Sequence, residues 1–240
     1  MREEPIENNR STFAEKVISF YRILDYQGKI PEGITVMNPF INNPEILTVA
    51  SLFYRKFYSD MEKRHLILGI NPGRFGAGVT GIPFTDTHQL FEKCGIQIDG
   101  INTREMSSVF IYDMIEKYGT VTEFYSSFFI SAVCPLGFTS TGKKGNEINY
   151  NYYDNKELTA AVYDFIVQNL TVQISFGINT DICFCLGTGK NFKFLSDLNS
   201  RFGFFGEIVP LEHPRFIMQY RLKQKKHFID HYLEAFRRIR

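Results

Sequence analysis

Apolar and polar positions along the chain follow two periods, and the order in which those periods alternate predicts the architecture. Thr12 and Glu15 stand three residues apart ahead of a helical apolar pattern, the arrangement of a capping box, and predict a helix to about Tyr26. Asn43-Pro44 opens a second helix, to about Ser59. Next comes HLILGI, residues 65–70, a continuous apolar run of strand length. The runs SSFFISAVCPL (126–136), DICFCLG (181–187) and FFGEIVPLEH (204–213) are further candidates for strands buried on both faces. Helical patterns lie between them, at 104–118 ended by Gly119 and at 155–169 after Asp154, and others follow the last two runs.

Strands without a solvated face, alternating with helices, predict an α/β fold with a mostly parallel sheet covered on both sides. In such sheets a ligand sits beyond the carboxyl ends of the strands. Four segments therefore converge on one edge: Asn71-Pro72-Gly73, Cys134-Pro135-Leu136, Gly187-Thr188-Gly189-Lys190 and His213-Pro214-Arg215. Residues 139–155, TSTGKKGNEINYNYYDN, are too polar and too rich in Gly and Asn for core and are expected to form a loop.

With 240 residues and 44% hydrophobic content, the chain can bury a full core as one domain, and 1–240 is the expected extent. The polar N-terminus and the lack of a run of about 18 apolar residues predict a cytoplasmic protein with neither signal peptide nor membrane contact. Cys94, Cys134, Cys183 and Cys185 show no CxxC spacing, so no metal site is expected and buried free thiols are the reading. Net charge is +1, but from His213 onward eight Lys/Arg face two Asp/Glu, a basic tail that suits nucleic acid or a solvated helix face equally.

The stretch LILGINPGRFGAGVTGIPFTD, residues 66–86, carries the densest chemistry. Its five glycines allow close backbone approach to a flat or anionic ligand, and Pro72 and Pro83 restrict the loop around them. Asn71 offers a short, fixed amide, and Phe75 and Phe84 offer aromatic faces. GTGK at 187–190 lacks the upstream glycine of a P-loop and has Asn191 where a magnesium-binding hydroxyl would stand, though a helix N-terminus with Lys190 still suits an anion. There is no GxSxG elbow for a serine hydrolase.

GINPGRFGAGVTGIPF, residues 69–84, closely resembles the first active-site motif of single-strand-selective monofunctional uracil-DNA glycosylases, typically GMNPGPFGMxQTGVPF. LEHPR, residues 211–215, resembles the start of that family's second motif, LHPSPR; VCPLGF and CLGTGK, at 133–138 and 185–190, are similar to its CPL segment and its LGxGR turn. The resemblance runs from about residue 65 to 230 and leaves the first 40 or so residues outside as a helical extension. It implies a three-layer α/β/α sandwich around a four-stranded parallel sheet. It also implies a monofunctional enzyme that hydrolyses the N-glycosidic bond of uracil in DNA for base-excision repair, flipping the nucleotide out of the stack. No cofactor, metal or obligate protein partner is implied. By motif position Asn71 resembles the residue that positions water, His213 the residue that stabilises the departing base, and Phe84 the stacking face. Gly69, Ile70, Pro72, Gly73, Phe75, Ser131 and Ala132 would complete the base pocket. Gly187, Gly189, Lys190, Arg215, Phe216, Ile217 and Lys223 would meet DNA, with Phe216, Ile217 and Met218 suited to a wedge that fills the gap left by a flipped base.

One departure bears on substrate choice. Where the family has His-Asn before the CPL segment, this chain has Ser131-Ala132, and that Asn is the residue that reads the uracil edge. Either Asn146 or Asn149 from the polar loop takes over, or backbone groups read the base and the pocket also admits hypoxanthine or xanthine. The rival is a nucleic-acid or nucleotide-binding α/β protein that keeps the pocket with weak or no catalysis.

Overall fold

A computed structural model of the protein describes residues 11–239. Its described strands are β1 (Ile34–Met37), β2 (Arg64–Gly69), β3 (Phe128–Ala132), β4 (Gly137–Thr141), β5 (Glu147–Tyr150), β6 (Ile178–Leu186) and β7 (Glu207–Leu211). The four apolar runs form one parallel sheet in the order β3-β2-β6-β7. Every residue of β2 and β3 is buried, which is why those runs show no alternation.

Side chains that alternate along β3 separate the two covering layers. Phe129 packs edge-on to Phe13 and Phe176, at ring centroids 5.2 and 6.0 Å, toward the helices Phe13–Ile23, Pro44–Phe57 and Tyr163–Ile174. Phe128 meets Phe236 at 4.5 Å and Phe184 at 5.9 Å, toward the helix Lys225–Phe236, which in turn packs on Met106–Tyr118. The three-layer α/β/α arrangement follows. The N-terminal helix lies outside the recognisable motifs but not outside the core: Phe13, Val17, Phe20 and Tyr21 are all buried.

The local signals hold with adjustments. Thr12 Oγ1 accepts the Glu15 N–H at 3.2 Å, but the Glu15 carboxylate turns to Arg55 rather than closing the box. The full capping box is Thr120 with Glu123, which starts the helix Val121–Ser127; the first residues of the 126–136 run therefore end a helix, and β3 begins at Phe128. Asn155 rather than Asp154 caps the next helix, accepting from the N–H groups of Glu157 and Leu158, and the expected 155–169 helix is two, Lys156–Ala161 and Tyr163–Ile174. All four cysteines are free and buried.

The main correction concerns residues 139–155. They contain most of β4 and all of β5, a hairpin whose β4 pairs antiparallel with β1 to form a second sheet, β1-β4-β5. Glu147 and Ile148 are exposed and Asn149 and Tyr150 only partly buried, so β5 has no apolar face to announce it. Its backbone pairing with β4 makes it a strand. The hairpin and the residue after it bring Asn149, Tyr150 and Asn151 to the loop that follows β2.

Candidate active site

Asn71 follows β2 by two residues and is held by backbone on the β5 side. Its Oδ1 accepts the Tyr152 N–H at 3.2 Å, and its Nδ2 donates to the Tyr150 carbonyl at 3.2 Å and, more weakly, to the Pro72 carbonyl at 3.4 Å. The amide thus docks onto residues 150–152 much as another strand would, which fixes its orientation. An amide oxygen has two lone pairs, so Oδ1 can hold a water after satisfying Tyr152.

Phe84 is the only described non-glycine residue with a left-handed backbone, φ 53°, a conformation that costs free energy for a bulky side chain and persists where its surroundings enforce it. The enforcing group is buried Thr80, whose hydroxyl accepts the Ile82 N–H at 3.1 Å and lies 2.6 Å from the Thr85 carbonyl. The turn presses the Phe84 ring onto Gly69, where a Cβ would come within 2.8 Å of it. Glycine is required there because the ring occupies the space of a side chain. The same holds at Gly76, whose missing side chain leaves room for the Glu105 carboxylate. The glycines of this motif thus admit the protein's own groups rather than a ligand directly.

His213 caps the helix Pro214–Tyr220, its Nδ1 accepting the Arg215 N–H at 3.2 Å. That bond makes Nε2 the protonated nitrogen of the neutral ring. Burial, with a smaller contribution from the positive charge of Arg215, lowers the pKa of His213 to about 4, so the neutral donor is the form present near pH 7. The imidazole lies 5.7 Å from the Phe84 ring, between centroids.

Asn71, Phe84 and His213 converge on one cavity of about 470 Å³ at the carboxyl ends of β2, β3 and β7. Gly69, Ile70, Pro72, Gly73, Ser131 and Ala132 line it as expected. Ser131 turns its hydroxyl away, donating to Gln173 Oε1, and Ala132 offers only a methyl. Of the two candidate substitute readers, Asn149 lines the cavity and Asn146 does not; Asn149 Oδ1 is already engaged by the Arg74 N–H at 3.1 Å.

Other expectations change. Phe75 does not line this cavity: it is 46% exposed and lies in an adjoining groove. Ile217 cannot be a wedge, because it is fully buried on the inner side of its helix with Pro214, three residues before it. Met218 is partly buried against the core, whereas Phe216, 41% exposed, and Arg215 lie at the cavity rim. Gly187, Gly189 and Lys190 stand at the end of β6 beside the site rather than in its wall; Lys190 is exposed, with its ammonium 5.7 Å from the Tyr153 ring centre. Lys223 is exposed in the turn after Tyr220.

Sequence reading missed Glu105, Ser107, Asn151, Gln219 and Tyr220, all of which line the cavity. Glu105 is the most consequential. Its N–H donates to buried Asp86 at 2.7 Å, and burial first, then the Asp86 charge, push its carboxyl up to about 7, against a lowering by Arg215. Asn191, which stands where a P-loop hydroxyl would be, is a structural tie: it accepts from the Tyr152 hydroxyl at 2.8 Å and donates to the Leu186 carbonyl at 3.1 Å.

The chain resembles known proteins over nearly its whole length. The model of the uracil DNA glycosylase superfamily matches residues 55–237. The crystal structure of wild-type SMUG2 from Pedobacter heparinus superposes with a TM-score of 0.93 and is 53% identical, over 96% of this chain and 99% of that one. No curated protein matches. With a family model that matches well over half of the chain and a neighbour 53% identical over nearly all of it, the chain belongs to the uracil DNA glycosylase superfamily and is a DNA glycosylase.

Proposed function

We propose that this enzyme removes uracil, and with it the deaminated purines hypoxanthine and xanthine, from DNA after flipping the nucleotide into the cavity of Asn71, Phe84 and His213. Ala132 carries the reading: its methyl stands where an amide would restrict the edge of the base, in a cavity of about 470 Å³.

The base stacks on Phe84, and Asn71 Oδ1 holds a water on the sugar side. As the C1′–N bond breaks, its electron pair passes to the base and the sugar becomes oxocarbenium-like, so the reaction needs a placed water more than a strong nucleophile. The His213 Nε2–H donates to the acceptor next to the departing nitrogen, O2 of uracil or N3 of hypoxanthine, and strengthens as charge develops there. Water adds to C1′ and loses a proton, leaving an abasic site and free base. Phe216, exposed at the rim, fills the vacated stack in this reading.

The test is single-turnover incubation with oligonucleotides bearing uracil, hypoxanthine, xanthine or only normal bases, followed by alkaline cleavage of abasic sites. Cleavage at all three deaminated bases and at none of the normal ones is expected. Cleavage at uracil alone would mean that another group restricts the edge; cleavage at none would overturn the proposal.

A further inference from the structure

Beside the base cavity runs a second concavity of about 270 Å³ that the reaction does not use. Its wall combines three apolar side chains that the fold leaves in water, Phe75, Met106 and Ile148, at 46, 45 and 39% exposure. Around them stand three guanidinium groups, Arg74, Arg104 and Arg215. The Arg74 guanidinium lies 4.3 Å from the Phe75 ring centre, a flat cation on an aromatic face. Opposing charge is small: Glu147 reaches Arg74 only at 3.9 Å, and Glu105, with its carboxyl pushed up to about 7, is only part-ionised at neutral pH.

The two concavities adjoin, because Glu105, Ser107, Asn149 and Arg215 line both. A strand whose target nucleotide enters the first can carry its neighbour into the second. Exposed aromatic faces interleaved with arginines are what unstacked bases and phosphates seek in single-stranded nucleic acid.

We propose that this groove is a binding subsite for the nucleotide adjacent to the flipped one on the same strand, with its base against Phe75 and its phosphate among Arg74, Arg104 and Arg215. The inference rests on a nucleotide of DNA occupying the base cavity, and not on which base is excised.

The experiment measures binding of labelled single-stranded oligonucleotides by fluorescence anisotropy. Each carries a tetrahydrofuran abasic analogue at the target position, and either a normal base or a second analogue on the 5′ or the 3′ side. The wild-type enzyme is expected to lose affinity about tenfold when the neighbouring base is removed on one side, within the range of one lost base–aromatic stack. Phe75→Ala should lose a similar factor on the intact oligonucleotide and nothing more when the neighbour is abasic, whereas Phe75→Trp should keep the dependence on the neighbour. Arg104→Ala should lower the slope of log affinity against log salt by ~0.7, one phosphate contact on a single strand. Equal weakening by Phe75→Ala on both oligonucleotides, or no wild-type preference for a neighbouring base on either side, would overturn the proposal; an unchanged salt slope would overturn its phosphate half. The probe lacks a target base, so failure of the excision test on deaminated bases leaves this measurement intact, and the two proposals fail separately.

Discussion

Replacing His213 with Ala removes two hydrogen bonds of different kinds. The acceptor at Nδ1 caps the helix Pro214–Tyr220 through the Arg215 N–H, and its loss should cost about 1 kcal/mol of stability. Under the proposed function the donor at Nε2 faces developing charge, and its loss should cost ~10²–10³ in rate, about 3–4 kcal/mol of transition-state stabilisation. His213→Asn separates the two, since Asn is a good cap on a shorter side chain: it should recover most of the stability and little of the rate. The pH dependence follows from the lowered pKa of about 4. Between that value and the ordinary 6.5 the unfolded chain binds the proton and the folded one does not. The group's contribution to stability is therefore fully present above pH 6.5 and is lost as pH falls through about 4, on the order of 3 kcal/mol in all. Across pH 6–8 the ring stays neutral and should impose no inflection on the rate. The assay is single-turnover excision on a uracil oligonucleotide over that range, with nitrogen–proton NMR of the imidazole to assign the tautomer. An imidazole that titrates near 6.5, a proton on Nδ1, or a His213→Ala rate close to that of the wild type would refute the reasoning.

Glu105 titrates in the opposite sense: its raised pKa favours the protonated form in the fold, so its contribution is present below the ordinary 4.5 and is lost as pH rises through about 7. Glu105→Gln should accordingly raise Tm relative to wild type more at pH 8 than at pH 5, read by calorimetry, and equal shifts at both pH values would contradict the assigned environment. In the basic tail, Lys225 pairs with Asp113 and Lys226 with Asp230, while Lys223 has no carboxylate partner among the described residues. Lys223→Ala should therefore lower the salt slope of duplex binding by ~0.9, and Lys226→Ala by less; the reverse order would show that the Asp230 pair opens on DNA. Ala132→Asn places a donor–acceptor pair opposite the base edge and should raise the rate on uracil relative to hypoxanthine, with cytosine inert. Loss of uracil excision at unchanged Tm would show that another group already reads that edge.

What the sequence made legible was what its local pattern determines. Continuous apolar runs point to burial in a parallel sheet, so β2, β3, β6 and β7 and their parallel pairing were readable, although β7 at the sheet edge is only partly buried, and with them the edge where Asn71 and His213 line one cavity. The hairpin of β4 and β5 was not, because it is held by backbone pairing to β1, a hundred residues earlier, and carries no apolar period. Glu105 was invisible for a related reason. Nothing in REMSS marks a pocket residue; Asp86 fixes the backbone at Glu105, the start of the helix Met106–Tyr118, and only the fold brings that end to Gly73 and Gly76. Composition identified Phe216, Ile217 and Met218 as a large apolar group beside His213, but helical geometry assigned them separately, Ile217 inward and Phe216 outward. Phe75 likewise had the right chemistry and a different cavity.

The arrangement separates bond cleavage from base reading. Under the proposed function Asn71 and His213 act at the sugar and at the acceptor beside the glycosidic nitrogen, a feature that pyrimidines and purines share, and both are oriented by backbone: Tyr150 and Tyr152 for the amide, Arg215 for the imidazole. Their geometry therefore survives changes in the rest of the pocket. In that reading the edge of the base, by contrast, meets the methyl of Ala132, and the Oδ1 of Asn149 already accepts the Arg74 N–H. Under the proposed function, discrimination against cytosine and adenine then moves from the edge to the bond, while thymine and guanine, which keep the ring carbonyls, are held back by the cost of flipping a paired base. Uracil and hypoxanthine carry a ring carbonyl that shares the charge left by the departing sugar; cytosine and adenine have an amino group at the corresponding position, which shares it poorly. Flipping adds to this, since a mispaired deaminated base costs less to unstack than a paired normal one. A pocket of this kind gives up the large selectivity that a buried amide provides against the wrong base, and in exchange accepts several products of deamination through one catalytic pair.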